Sequence, residues 1–159
     1  MKELKLTSTF LIYDYNELTA DDKALVDAAK QATRTSYAPY SHFQVGAAVR
    51  LDDGTVVCGS NQENAAYPSG LCAERTAVFS ANAQHPERPV VALAIAAFNQ
   101  GAFLQAPIPP CGACRQVLLE VEERYRHPIR ILLYGEEGTY VTESVRELLP
   151  LQFVSATMA

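Results

Sequence analysis

The sequence predicts an α/β protein with three layers, α/β/α, built on a mixed, roughly five-stranded central sheet. Three observations carry this expectation. Strand-like segments flank the turn Asp52-Asp53-Gly54, which reads as an antiparallel hairpin. Val90 to Phe98 is an almost unbroken apolar run, the pattern of a strand covered on both faces. After it, strand and helix patterns alternate, so helices must lie on the sheet faces. With 159 residues, 48% of them apolar, a single domain with a real core is expected.

Taken in order, Leu4, Leu6 and Phe10 to Tyr13 suggest an extended arm over residues 1–18 that could add an edge strand, ahead of one domain over 19–159. Thr19 with Asp22 three residues on marks a helix start. Leu25, Val26, Ala29 and Ala32 form its inner face until it fades near Tyr37-Ala38-Pro39. Tyr40-Ser41-His42 turns into a strand from Phe43 to Leu51, and Thr55 to Gly59 returns. Asn61 to Asn64 is a polar loop, and Tyr67-Pro68-Ser69-Gly70 turns into a helix from Cys72 to Asn82. After the apolar strand, Asn99 to Pro110 is a loop with three prolines. A helix follows with Val117, Leu118, Val121 and Tyr125 at helical spacing, then a strand from Ile129 to Tyr134. Thr139 to Val141 is a short strand, and Thr142 is expected to cap a last helix that Pro150 stops after Leu149.

A net charge of −5 argues against an extended phosphate-binding surface, so no nucleic-acid partner is expected. No apolar run approaches membrane-spanning length, and the first residues lack the apolar core and cleavage site of a signal peptide. A cytoplasmic protein without a membrane partner is expected. There, the four cysteines are metal-binding or catalytic rather than disulfide-bonded. Cys58, between Val57 and Gly59, reads as a small strand residue.

The chemistry concentrates at two helix starts. Cys111 and Cys114 are three apart, so their thiols converge at a helix N-terminus, the usual half of a zinc site. The other half offers one sulfur, Cys72, and one carboxylate, Glu74. Three protein ligands with an open position distinguish a catalytic zinc from a structural one. Three thiolates around a dication leave a local charge of −1, which weakens the metal as a Lewis acid. Zinc lowers the pKa of its water to about 9 in solution and about 7 in enzymes, so something must offset the sulfurs. Two helix N-termini do so in part, and Arg75 and Arg115 are placed to donate to the thiolates from beside the ligands. Glu74 would then move the proton, as hydrolysis requires.

Asn61-Gln62-Glu63-Asn64-Ala65-Ala66-Tyr67, Cys72-Ala73-Glu74-Arg75-Thr76-Ala77 and Pro110-Cys111-Gly112-Ala113-Cys114-Arg115-Gln116 together resemble the small zinc-dependent cytidine deaminases. Pro39 to Phe43, Val45 to Ala48 and Glu147 to Pro150 extend the likeness from about Thr19 to Phe153. The class uses a glutamate that is not a ligand. The resemblance implies one zinc per subunit on Cys72, Cys111 and Cys114, with Glu74 as the catalytic proton carrier. The implied reaction is hydrolytic deamination of free cytidine and deoxycytidine in pyrimidine salvage. Cysteine rather than histidine at position 72 favours the branch acting on free nucleosides. By the same likeness Asn61 and Glu63 hold the ribose hydroxyls, Phe43 packs on the pyrimidine, and Ala73 contacts substrate. Ala65, Tyr67 and Phe153 would reach a neighbouring copy's site in a homotetramer.

Read without the resemblance, the same residues admit other uses. Cys111 and Cys114 fit a redox dithiol, or all three cysteines a structural zinc with a further ligand in a non-catalytic binding module. Phe43 alone suits a core, Asn61 and Glu63 a polar turn, and Arg75 and Arg115 a solvated surface. Within the deaminase reading, another cytosine nucleoside such as blasticidin S is the alternative substrate. Gln62, where the family commonly has an apolar residue, is expected to point away from the sugar.

Overall fold

Hairpin, buried strand and helices come together in a computed structural model that describes residues 1–158; Ala159, the end of the expected domain, lies outside the described residues. Seven strands form one sheet: β1 (Leu11–Tyr13), β2 (Gln44–Leu51), β3 (Val56–Ser60), β4 (Val90–Asn99), β5 (Ala102–Phe103), β6 (Arg130–Leu133) and β7 (Thr139–Thr142). Their order is β1-β7-β6-β4-β2-β3, with β5 paired to β4 alone. Only β4 and β6 run parallel, so the sheet is mixed. The five expected strands are β2, β3, β4, β6 and β7. The N-terminal arm supplies β1 at the edge, and the loop after β4 supplies β5. That hairpin escapes a reading by composition because its turn lies in the left-handed region, with φ of 51° at Gln100 and 86° at Gly101.

Helix α1 (Ala20–Ala32) covers one face, and α2 (Ala73–Gln84) and α3 (Gly112–Tyr125) cover the other. The Thr19 hydroxyl caps α1 by accepting from Asp22 N at 3.2 Å. Strand β4 alternates between the two layers. Ala92, Ala94 and Ala96 meet Leu25, Val26 and Ala29 of α1, while Leu93, Ile95 and Ala97 meet the α2 and α3 side. Its small residues toward α1 let that helix pack closely, which also explains Gly46: a Cβ there would stand 2.1 Å from Ala29 O.

The edge strand β3 approaches α2 as closely. A Cβ on Gly59 would lie 2.4 Å from Ala77 N and 2.8 Å from Ala73 O, both backbone atoms that cannot step aside. Gly59→Ala should therefore destabilise the fold by about 2–3 kcal/mol, lowering Tm by about 5–10 °C in a protein of this size. A thermal melt showing no change would mean that α2 can shift without cost.

The helix expected from Thr142 to Leu149 is replaced. Strand β7 continues through Thr142, which pairs with Ile131, and a single 3-10 turn, Val145–Leu148, follows. Ser144, not Thr142, caps it. The cause is Glu122 of α3, a carboxylate buried to 4% exposure, which accepts from Val145 N at 2.9 Å, Ser144 Oγ at 2.9 Å and Ile129 N at 2.8 Å. These bonds fix the chain direction after β7, leaving no room for a regular helix. Glu122 falls four residues after Leu118, on the inward stripe of α3, which is the one sequence signal that it is buried.

Candidate metal centre and adjoining cavity

Both metal-bearing segments are helix starts on the same face of the sheet. Cys72 is the N-cap of α2 and Cys111 the N-cap of α3, each with extended backbone; Cys114 lies in the first turn of α3. Loop 61–71 brings the first of these into place. Gln62 and Leu71 exchange backbone hydrogen bonds at its neck (2.8 and 2.9 Å), and Tyr37 bonds Asn61 O and Glu63 N beside them. The Gln62 side chain donates to Thr35 O and Ser60 Oγ, away from the loop's tip.

The sulfurs of Cys72, Cys111 and Cys114 all lie within 4.8 Å of one another, and those of Cys72 and Cys111 are 3.7 Å apart. Ligands at about 2.3 Å from a tetrahedral zinc stand about 3.8 Å from each other, so this donor set fits zinc. Among the described residues the group contains these three donors and no fourth. The electrostatics also ask for a cation. The Cys72 thiol is drawn down to about 5, first by a hydrogen bond from Cys114 and then, against burial, by the Arg75 guanidinium, whose Nη2 lies 3.5 Å from its sulfur. Cys114, fully buried, is pushed the other way by the hydrogen bond it gives Cys72, by burial and by the nearby Glu74. Protein groups alone thus favour one thiolate, whereas three need a metal.

Glu74, on the first turn of α2, is 5% exposed and neighbours Cys114. Burial raises its pKa more than its own backbone N–H lowers it, and the Cys72 charge adds to the rise. Ala73 is fully buried, so the group it can offer a ligand is its backbone N–H, one of the unpaired donors at a helix start. Arg75 lies where the sequence places it. Arg115 does not reach a sulfur: Nε donates to Pro110 O at 2.8 Å and Nη1 to Leu148 O at 2.9 Å. A guanidinium needs planar acceptors, and the two carbonyls supply them; Arg115 therefore ties the residue before Cys111 to the 3-10 turn at Leu148.

Beside Cys72 opens a cavity of about 580 Å³ whose lining includes Tyr40, Ser41, Asn61, Glu63, Tyr67 and Arg75. The sequence of the cytidine and deoxycytidylate deaminase zinc-binding region, as a family model, matches residues 19–126, which span all three cysteines. The chain belongs to this deaminase family. A cytidine deaminase of Halalkalibacterium halodurans is 42% identical over 138 residues, covering 87% of this chain and 98% of the relative. One from Mycobacterium tuberculosis is 44% identical over 112 residues, covering 68% and 79%. The solved cytidine deaminase of Burkholderia pseudomallei is 44% identical, with a TM-score of 0.71 over 86% of this chain and 100% of that one.

Within this deaminase chain the other expected contacts separate. Asn61 is engaged by its own backbone surroundings: Oδ1 accepts from Val45 N (2.8 Å) and Ser36 Oγ (2.5 Å), and Nδ2 donates to Phe43 O (2.9 Å), leaving one N–H for a ligand. Phe43 is half-buried against the core cluster of α2 and α3, and it, Ala65 and Phe153 are not among the cavity's lining residues. Tyr67 is exposed and meets Tyr40 edge-on, ring centroids 6.0 Å apart. Phe153 is exposed, its carbonyl held by Gln116 Nε2 at 2.9 Å. Sequence reasoning missed Ser41 as more than a turn residue. Its hydroxyl donates to Glu63 Oε1 and accepts from Phe43 N at 3.1 Å.

Proposed function

We propose that this protein is a zinc-dependent hydrolase that converts free cytidine and deoxycytidine to the uridine nucleosides and ammonia. The observation that carries the reading is a three-sulfur zinc site with a buried carboxylate beside it, in a member of the cytidine and deoxycytidylate deaminase family. Bound to Cys72, Cys111 and Cys114, zinc supplies the Lewis acidity that makes water a nucleophile near neutral pH. The remaining tasks fall to the chain. Glu74 takes a proton from the attacking water and gives it to N3 as water adds at C4. It then protonates the exocyclic nitrogen, the C4–N4 bond breaks, and ammonia leaves. Burial suits Glu74 to hold a proton between these steps. The Ala73 N–H offers a donor at the base, and Arg75 steadies the Cys72 thiolate.

Asn61 and Glu63 take the sugar hydroxyls and Phe43 flanks the pyrimidine. Exposed Tyr67 and Phe153, with Ala65, serve the site of a neighbouring copy in a homotetramer, an assembly supported by the apolar rings left open around the cavity mouth. The division into arm 1–18 and domain 19–159 is supported by the family match beginning at residue 19. Pyrimidine salvage in the cytoplasm is the setting we assign: all four cysteines are free thiols, and no helix among the described residues is long and apolar enough to cross a membrane.

The test is loss of cytidine absorbance with purified protein, with and without a chelator. Turnover is expected only without it. Cytidine 5′-monophosphate should be turned over about 10²-fold less well, since the charged lining offers the Glu63 carboxylate and an Arg75 committed to Cys72, and like charges in a pocket cost several kcal/mol. Equal use of nucleoside and nucleotide would overturn the assignment to free nucleosides.

A further inference from the structure

We infer that Ser41 is a positioning residue for sugar recognition: its hydroxyl holds the Glu63 carboxylate in the orientation that accepts a ribose hydroxyl. The inference rests on the cavity being a nucleoside pocket, as proposed above. A base whose C4 meets the cysteine trio leaves its sugar toward the outer part of the cavity, where Glu63 is the one carboxylate in the lining.

Glu63 is exposed, and an exposed glutamate samples many rotamers unless something pins it. Three donors do so here. Tyr40 N at 2.8 Å and Ser41 N at 3.3 Å both donate to Oε2, and the Ser41 hydroxyl donates to Oε1. The same hydroxyl accepts from Phe43 N, so its single hydrogen is committed to Glu63 and its rotor is fixed. His42, between them, has φ of 57°, a left-handed conformation that a non-glycine residue adopts at a cost. This reversal brings Ser41 Oγ and Phe43 N together, supported by His42 N donating to Ala38 O at 3.0 Å. A carboxylate has about four acceptor sites, and the three internal bonds leave one on Oε1 for a ligand hydroxyl. The Ser41 hydrogen bond is also the largest cause holding the Glu63 carboxyl below its ordinary range, which keeps it an acceptor.

Losing one hydrogen bond to a charged group should loosen Glu63 without removing it. The readout is the ratio of kcat/KM for cytidine to that for 2′,3′-dideoxycytidine, which lacks both ring hydroxyls. Ser41→Ala should lower this ratio about ten-fold, mostly through KM for cytidine. Ser41→Thr, which keeps the hydroxyl, should restore it. In a Glu63→Ala background the Ser41→Ala change should leave the ratio unaltered. A purely structural role would depress both substrates together; an unchanged ratio, or equal effects with and without Glu63, overturns the assignment. If the wild-type protein turns over neither nucleoside, the nucleoside reading itself fails and takes this one with it.

Discussion

Glu74→Gln is expected to lose turnover of cytidine by about 10³–10⁴-fold while keeping its full complement of zinc, the range that a positioned acid–base group contributes. The substitution preserves volume and shape at a position 5% exposed, so the α2 start and the sulfur trio should stay as they are. What is lost is the capacity to bind and release a proton. An amide cannot take one from water and return it to N3 and then to the leaving nitrogen. Metal content by elemental analysis, a melting curve and kcat by absorbance separate the possibilities. Activity within about ten-fold of wild type would rule out Glu74 as the proton carrier. Lost activity accompanied by lost zinc would mean that Glu74 is a ligand.

Cys111→Ala should remove metal, activity and stability together. Two helix N-termini carrying partial positive charge converge on three sulfurs, and one cation joins segments 39 residues apart in the chain, Cys72 and Cys111. A ligand present at a thousand times its dissociation constant stabilises the folded state by about 4 kcal/mol, which corresponds to about 8–16 °C in Tm at this size. The variant should melt that much lower than wild type and should match chelator-treated wild type. Chelation should not lower the variant further. Retained zinc with unchanged Tm would show that Cys111 is not a ligand and would dismantle the metal centre as described.

The strands and helices were readable because their burial pattern is local. Val90 to Phe98 is apolar on both faces because α1 lies on one and α2 and α3 on the other, and Leu25, Val26, Ala29 and Ala32 recur at the helical period for the same reason. The cysteine pair was readable because three-residue spacing at a helix start fixes where two thiols point. Other features depend on partners far away in sequence. Arg115 looked like a thiolate partner from its neighbours but is captured by Leu148 O, 33 residues on. The last helix failed because Glu122, 23 residues before Val145, takes its backbone N–H. Ser41 looked like turn chemistry until loop 61–71 brought Glu63 back to it.

The sequence by itself determined the chemistry: the donor types, the acid beside them and the family follow from residues at short, fixed spacings. Tertiary structure alone decided which side chains are free to act. Hydrogen-bond donors and acceptors are few per side chain and are satisfied once. Whether Asn61, Arg115 or Ser41 faces a ligand, a carbonyl or a carboxylate depends on which distant group arrives within 3 Å or so, and local spacing carries no record of that.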